Sequence, residues 1–159
     1  MDFVKEYLAV DDTSPTGLIW IAKPNTGRGG YVTIGAPALT ACDNKGYFKG
    51  TCRKVPLYAH VVVFYLTHGY RPPVVDHIDG DTQNNRVSNL RASNTAQNAH
   101  NMISKGYDKH SCGKWRARIC VDGNNKHLGL FETESAAREA YLAAKEQLHP
   151  TAPTRCFTL

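Results

Sequence analysis

Residues Val74–Met102 read VVDHIDGDTQNNRVSNLRASNTAQNAHNM, and this stretch decides how the chain is to be understood. Asp76 and His77 stand behind the apolar pair Val74-Val75, a Gly80-Asp81 turn follows, and then come Asn84, Asn85, Asn89, Asn94, Asn98 and Asn101 with Arg86 and Arg91 as the charges among them. So many side-chain amides make poor core material, because each needs hydrogen-bond partners when buried. Grouped around one Asp-His pair, they suit a metal site that works on a phosphate.

Hydrolysing a phosphodiester near neutral pH takes a group that removes a proton from water, a divalent cation that stabilises charge on the phosphate and on the leaving oxygen, and a frame for both. Histidine suits the first task, since its ordinary pKa of about 6.5 lies near the working pH. A hard cation such as Mg²⁺ takes oxygen ligands and keeps several waters or substrate oxygens. One carboxylate and one amide oxygen leave those positions open. Val74, Val75 and Ile78 are expected to anchor a strand with Asp76 and His77 at its end, Leu90 to anchor the returning strand, and Asn94 or Thr95 to cap a short helix through Met102.

The order VDHIDGD, NNR, NLR and then a helix carrying QN resembles the HNH nucleases, in particular the phage and intron type that includes homing endonucleases. The resemblance implies a ββα-metal fold gripping one divalent ion, Mg²⁺ or Mn²⁺. By motif position it makes Asp76 a metal ligand, His77 the general base, Asn89 the residue that orients the base, and Asn98 the second metal ligand on the helix. Many members carry histidine at that last position, and His100 is then the alternative ligand. This assignment requires Asp76 and Asn98 to converge on a common ion.

Composition sets the wider frame. The chain has 159 residues and a net charge of +5, with a pI near 9.0, which favours a polyanionic partner. No apolar run is long enough for a membrane span and no signal-peptide pattern opens the chain, so a cytoplasmic protein, in the host cell if phage-encoded, is expected. Cys42, Cys52, Cys112, Cys120 and Cys156 are an odd set without a CxxC pair, and they read as reduced thiols rather than a zinc knuckle.

Upstream, residues 1 to 12 suggest a short helix or strand before the turn Thr13-Ser14-Pro15-Thr16-Gly17. From Leu18 to Val55 the runs LIWIA, YVTIG and GYFKGTCRKV, separated by glycine and asparagine, predict strands and hairpins. Lys23, Arg28, Lys45, Lys49, Arg53 and Lys54 are basic residues there that either meet phosphates or form a solvated surface. Pro56 to Gly69 predicts a buried helix ending at the glycine, with His60 structural or supporting rather than catalytic.

After Tyr107 the text changes. Lys114 to Val121 alternates, so Trp115, Ala117, Ile119 and Val121 take one face and Lys114, Arg116, Arg118 and Cys120 the other. Asp122-Gly123 turns the chain into a partner strand, Lys126 to Phe131. Thr133 then caps a helix whose stripe Ala136, Ala137, Ala140, Tyr141, Ala144 and Leu148 covers the apolar face of the sheet. The segment GKWRARI, the Asp-Gly turn, KHLGLFET and AAREAY resemble the AP2 domain, a small DNA-binding module known from plant transcription factors. The resemblance implies DNA-facing roles for Lys105, Lys114, Arg116, Arg118 and His127. Asp108 stands where such domains often carry arginine, and His127 where they often carry tryptophan.

The expected protein is therefore α+β, with a β-rich segment (1–55), a ββα-metal nuclease core (56–103) and an AP2-like module of a three-stranded antiparallel sheet plus helix (104–159). The expected activity is metal-dependent endonucleolytic hydrolysis of double-stranded DNA, as a monomer, with Arg91 also reaching phosphate. The rival expectation is a non-catalytic, sequence-specific DNA-binding regulator.

Overall fold

A computed structural model describes residues 1–24 and 32–158. The NTGRGG loop and Arg28 lie outside the described residues. The fold is mixed α+β, with small antiparallel sheets and few helices, and it packs as two compact units, Met1–Ser93 and Asn94–Leu159.

The first unit begins with a 3₁₀ turn at Asp2–Glu6, followed by β1 (Leu8–Val10) paired with β2 (Leu18–Trp20). Val32 to Gly35, the described part of the YVTIG run, do not form the expected strand. Gly35 at φ 84° turns the chain there, Ile34 is exposed, and only Pro37 bridges to Ile19. A three-stranded sheet follows, with β3 (Ala41–Cys42), β4 (Phe48–Cys52) and β5 (Val55–Tyr58) in that order. Arg53 and Lys54 make its tight turn with φ of 51° and 65°, the left-handed pair that a two-residue hairpin demands.

The buried helix is shorter than its apolar text suggests: α1 spans Ala59–His68, and Pro56 to Tyr58 belong to β5. Proline is tolerated because β5 is an edge strand. Gly69 ends α1 in the left-handed conformation, its N–H donating to the Tyr65 carbonyl at 2.9 Å. Val62, Val63, Phe64 and Tyr65 are buried with Val4, Leu8, Leu18, Leu57, Val75 and Leu90 in one core. That shared core joins the N-terminal strands to β6 (Val74–His77) and β7 (Leu90–Ser93), which pair with Asp76 opposite Arg91 and His77 opposite Leu90.

The second unit starts at α2 (Thr95–His100), so the helix after the hairpin packs with the C-terminal residues. Asn94 caps it: its side chain accepts from the Gln97 N–H at 2.8 Å while Gln97 Oε1 accepts from the Asn94 N–H at 3.2 Å. Strands β8 (Tyr107–Lys109), β9 (Trp115–Val121) and β10 (Asn124–Phe131) form an antiparallel sheet with β9 central. Helix α3 (Glu134–Leu148) is capped by Thr133 Oγ1, which accepts from the Ala136 N–H at 3.2 Å. Ala137 and Tyr141 of α3 are buried with Ala117 and Ile119 of β9. A methyl group at Gly106 would lie 2.0 Å from the Tyr141 ring, so only glycine fits there.

Candidate active site

The hairpin β6–β7 presents its two chemical side chains at the end of β6, and both are buried, Asp76 at 5% and His77 at 4% exposure. Cross-strand register puts Arg91 opposite Asp76, and its guanidinium turns onto that carboxylate. Nε donates to Asp76 Oδ2 at 2.9 Å, and Nη2 lies 2.8 Å from the same oxygen in ion-pair geometry. A buried carboxylate of this kind is costly unless it is paired and hydrogen-bonded in this way. The guanidinium for which the sequence suggests a phosphate contact thus holds the candidate ligand.

The amide that meets the imidazole is Asn85. Its Nδ2 donates to the Thr16 carbonyl at 3.0 Å, which directs Oδ1 to His77 Nε2 at 2.9 Å. Nε2 is therefore the ring nitrogen that donates a hydrogen to Asn85. Thr16 is fully buried, and a Cβ on Gly17 would come within 3.1 Å of the Asn85 carbonyl oxygen, so the early turn is built around this amide.

Asn89 acts on the turn that follows. Its Nδ2 donates to Asp79 Oδ1 at 2.9 Å and to the Asn84 carbonyl at 2.8 Å, and its Oδ1 accepts from the Asp79 N–H at 3.0 Å. The Ile78 N–H donates to the Asn89 carbonyl at 2.9 Å, which fastens the residue next to His77. Partial burial pushes the Asp79 carboxyl up, but hydrogen bonds from Asn84, Asn89 and the Asp81 N–H bring it below the ordinary carboxylate value.

An aromatic group closes the other side. The His60 ring lies 5.1 Å from the His77 ring, and Tyr47 lies 5.0 Å from His60 and 5.8 Å from His77 between centroids. Burial, and then the neighbouring His77, push the His60 pKa down to about 4, against a smaller opposite pull from Asp43. Burial and the Asp76 and Asp43 carboxylates push the Tyr47 hydroxyl up.

Of the other residues expected at the site, Asn98 is exposed on α2 in the second unit. His100, the alternative ligand, has Nδ1 2.7 Å from Thr151 Oγ1 and stacks on His149 at 4.2 Å. Among the described residues, no group of three or more His, Cys, Asp or Glu is arranged to hold a metal. The donors that exist, a carboxylate and amide oxygens, fit a hard oxygen-seeking ion that keeps water and substrate ligands, and they do not fit a thiolate-bound zinc.

In the C-terminal sheet, Asp108 pairs across the strands with Arg116, and Oδ2 lies 2.6 Å from Arg116 Nη2 while Oδ1 lies 3.3 Å from Arg118 Nε. The Arg116 hydrogen bond holds the Asp108 carboxyl below its usual range. Lys114 meets Glu132 at 2.5 Å, and that contact raises the ammonium pKa. His127 and Lys105 are exposed, and His127 sits opposite Arg118 next to a register shift in β10.

A buried Asp-His pair at a strand end, with an amide-fixed imidazole and a turn clamped by asparagines, has the features of a hydrolytic centre for phosphodiesters. Residues 57–100 match the family model described as HNH endonuclease, HNH_3, which supports a nuclease enzyme with DNA as its substrate. Nucleases of this kind typically use a divalent metal. No curated protein and no solved structure shows significant similarity to the chain. No helix among the described residues is long and apolar enough to cross a membrane.

Proposed function

We propose that the protein is a metal-dependent HNH endonuclease of the phage homing type, which hydrolyses phosphodiester bonds of double-stranded DNA. The observation that carries this is the His77 imidazole, held through Nε2 by Asn85 beside a buried Asp76. His77 Nδ1 takes a proton from water, the resulting hydroxide forms a bond to phosphorus, and the bond to the 3′ oxygen breaks. Asn85 holds the ring through Nε2, and Asn89 positions the ring through the turn rather than by touching it. Arg91 pairs with Asp76 and orients its carboxylate.

Asp76, and by the family resemblance Asn98, are the residues for one Mg²⁺ or Mn²⁺ ion. When bound, that ion supplies stabilisation of charge on the phosphate and on the leaving oxygen. The C-terminal sheet and α3 act as an AP2-like module, with Lys105, Lys114, Arg116, Arg118 and His127 toward DNA. A two- or three-stranded β face fits the major groove, where arginine reads guanine and lysine neutralises phosphate. One catalytic centre per chain makes a nicking monomer the simplest form.

Supercoiled plasmid incubated with Mg²⁺ or with EDTA tests the reading. Open-circle product that appears with Mg²⁺ and disappears in the His77→Ala variant is expected. DNA binding without metal-dependent cleavage would instead identify a regulator.

A further inference from the structure

We propose that the tip of the β4–β5 hairpin, Arg53-Lys54, is a clamp for the sugar–phosphate backbone of duplex DNA, kept there at the expense of the stability of the turn. The proposal rests on the reading of the chain as one that acts on DNA.

Two hairpins of this protein close in two residues, and they use different chemistry. Val121 pairs with Asn124, so Asp122 and Gly123 form the β9–β10 turn, with φ of 49° and 79°. Aspartate and glycine enter the left-handed region readily, and pairs of this kind dominate such turns. Cys52 pairs with Val55, so Arg53 and Lys54 form the β4–β5 turn, with φ of 51° and 65°. Both carry an ordinary Cβ and a long side chain, which that backbone strains against. The turn by itself would be better served by asparagine and glycine, so its geometry does not account for two cations.

Their surroundings do. Both side chains are exposed, and among the described residues neither takes part in an ion pair. The Arg53 guanidinium lies over the Tyr7 ring, 6.0 Å from its centroid, and Tyr7 packs against the core. Contact through the flat face of the guanidinium leaves its N–H edge for an acceptor. Between Asp43 and Asp76 the chain carries Lys45, Lys49, Arg53, Lys54 and Arg71 and no carboxylate. A positive stretch without internal acids suits a polyanion, and two adjacent cations suit one whose charges are closely spaced, as on duplex DNA.

The hairpin also sits where a backbone contact would be useful. β5 runs directly into α1, whose His60 ring lies 5.1 Å from that of His77, and all of these belong to one compact unit. A phosphate gripped at the tip is therefore held at a set distance from the Asp-His pair, and such contacts fix register without reading sequence.

The test uses the full-length chain as wild type, as the double variant Arg53→Asn with Lys54→Gly, as Arg53→Asn alone, and as Lys5→Gln, which removes a cation already paired with Asp2. Each is melted, and each is titrated onto a short fluorescent duplex in EDTA over a range of salt, so that cleavage plays no part. The double variant should melt about 4 °C higher, because its turn is relieved. It should nevertheless bind about 10-fold more weakly, with a log–log salt slope shallower by about two units, roughly one for each phosphate lost. Arg53→Asn alone should lose about one unit of slope, and Lys5→Gln none.

An unchanged slope in the double variant overturns the proposal, and so does a melting temperature that fails to rise. A loss in Lys5→Gln as large as in Arg53→Asn overturns it too, because net charge alone would then explain the binding. Vesicles of phosphatidylserine and phosphatidylcholine serve as the counter-probe: a double variant that loses vesicle binding and keeps duplex binding assigns the tip to a membrane surface and refutes the clamp. If wild type binds the duplex but does not nick plasmid with Mg²⁺, the reading of the hydrolytic centre fails while the slopes still judge the hairpin. If wild type does not bind the duplex, the clamp itself is refuted.

Discussion

The β6–β7 hairpin and the C-terminal sheet both pair acids with arginines across neighbouring strands, yet the pairs live in different media. Asp76 is 5% exposed and its partner Arg91 27%, whereas Arg116 and Asp108 are each about one-third exposed and Arg118 one-half. Buried, such a pair is a structural necessity, because losing one member strands the other without water. In the open it contributes little and yields readily to salt or a competing anion. The same chemical motif thus fixes geometry in one unit and holds arginines in reserve in the other. Asp108 holds Arg116 and Arg118 in defined positions at a partly exposed surface.

The largest expected effect is on the buried side. His77→Ala should lower the nicking rate by at least about 100-fold, the scale of a lost general base, with DNA affinity nearly unchanged in a binding titration. Next, Arg91→Ala should destabilise the first unit by about 3 kcal/mol, read from urea midpoints, because Asp76 is left buried without compensation. A midpoint equal to wild type would erase the contrast between the two pairs.

Acid should act through His60. Its folded pKa of about 4 lies below the unfolded value of 6.5, so between those values the unfolded chain binds the extra proton. This contribution is complete above about pH 6.5, shrinks as pH falls through that window, and is gone below about 4, a change on the order of 3 kcal/mol. His60→Phe should flatten that limb of the melting-versus-pH curve. The smallest effects belong to the open sheet. Asp108→Asn should leave the melting temperature almost unmoved while tightening DNA binding, and Lys114→Ala should make the salt dependence of binding shallower by about one unit of log–log slope.

The hairpin around Asp76 and His77 was legible because its signals are local: an apolar pair, a Gly-Asp turn and a returning leucine fall in one short stretch. What escaped lies in register and in distance. Asn85 reads as a turn former, and its contact with His77 depends on a carbonyl at Thr16, 69 residues away. Arg91 reads as a cation available to phosphate until strand pairing sets it opposite Asp76. Pro56 to Tyr58 share the apolar character of the helix that follows, and only pairing with β4 makes them a strand. In the second unit the alternation of β9 was visible, but Glu132 and Asp108 as partners of Lys114 and Arg116 needed the cross-strand neighbours.

The shift of register between His127 and Gly129 in β10 has one more consequence. This outer strand is eight residues long, and an uninterrupted row of outward amides of that length would invite a second molecule to zip onto it. The irregular spacing breaks the row halfway, which discourages strand-by-strand aggregation.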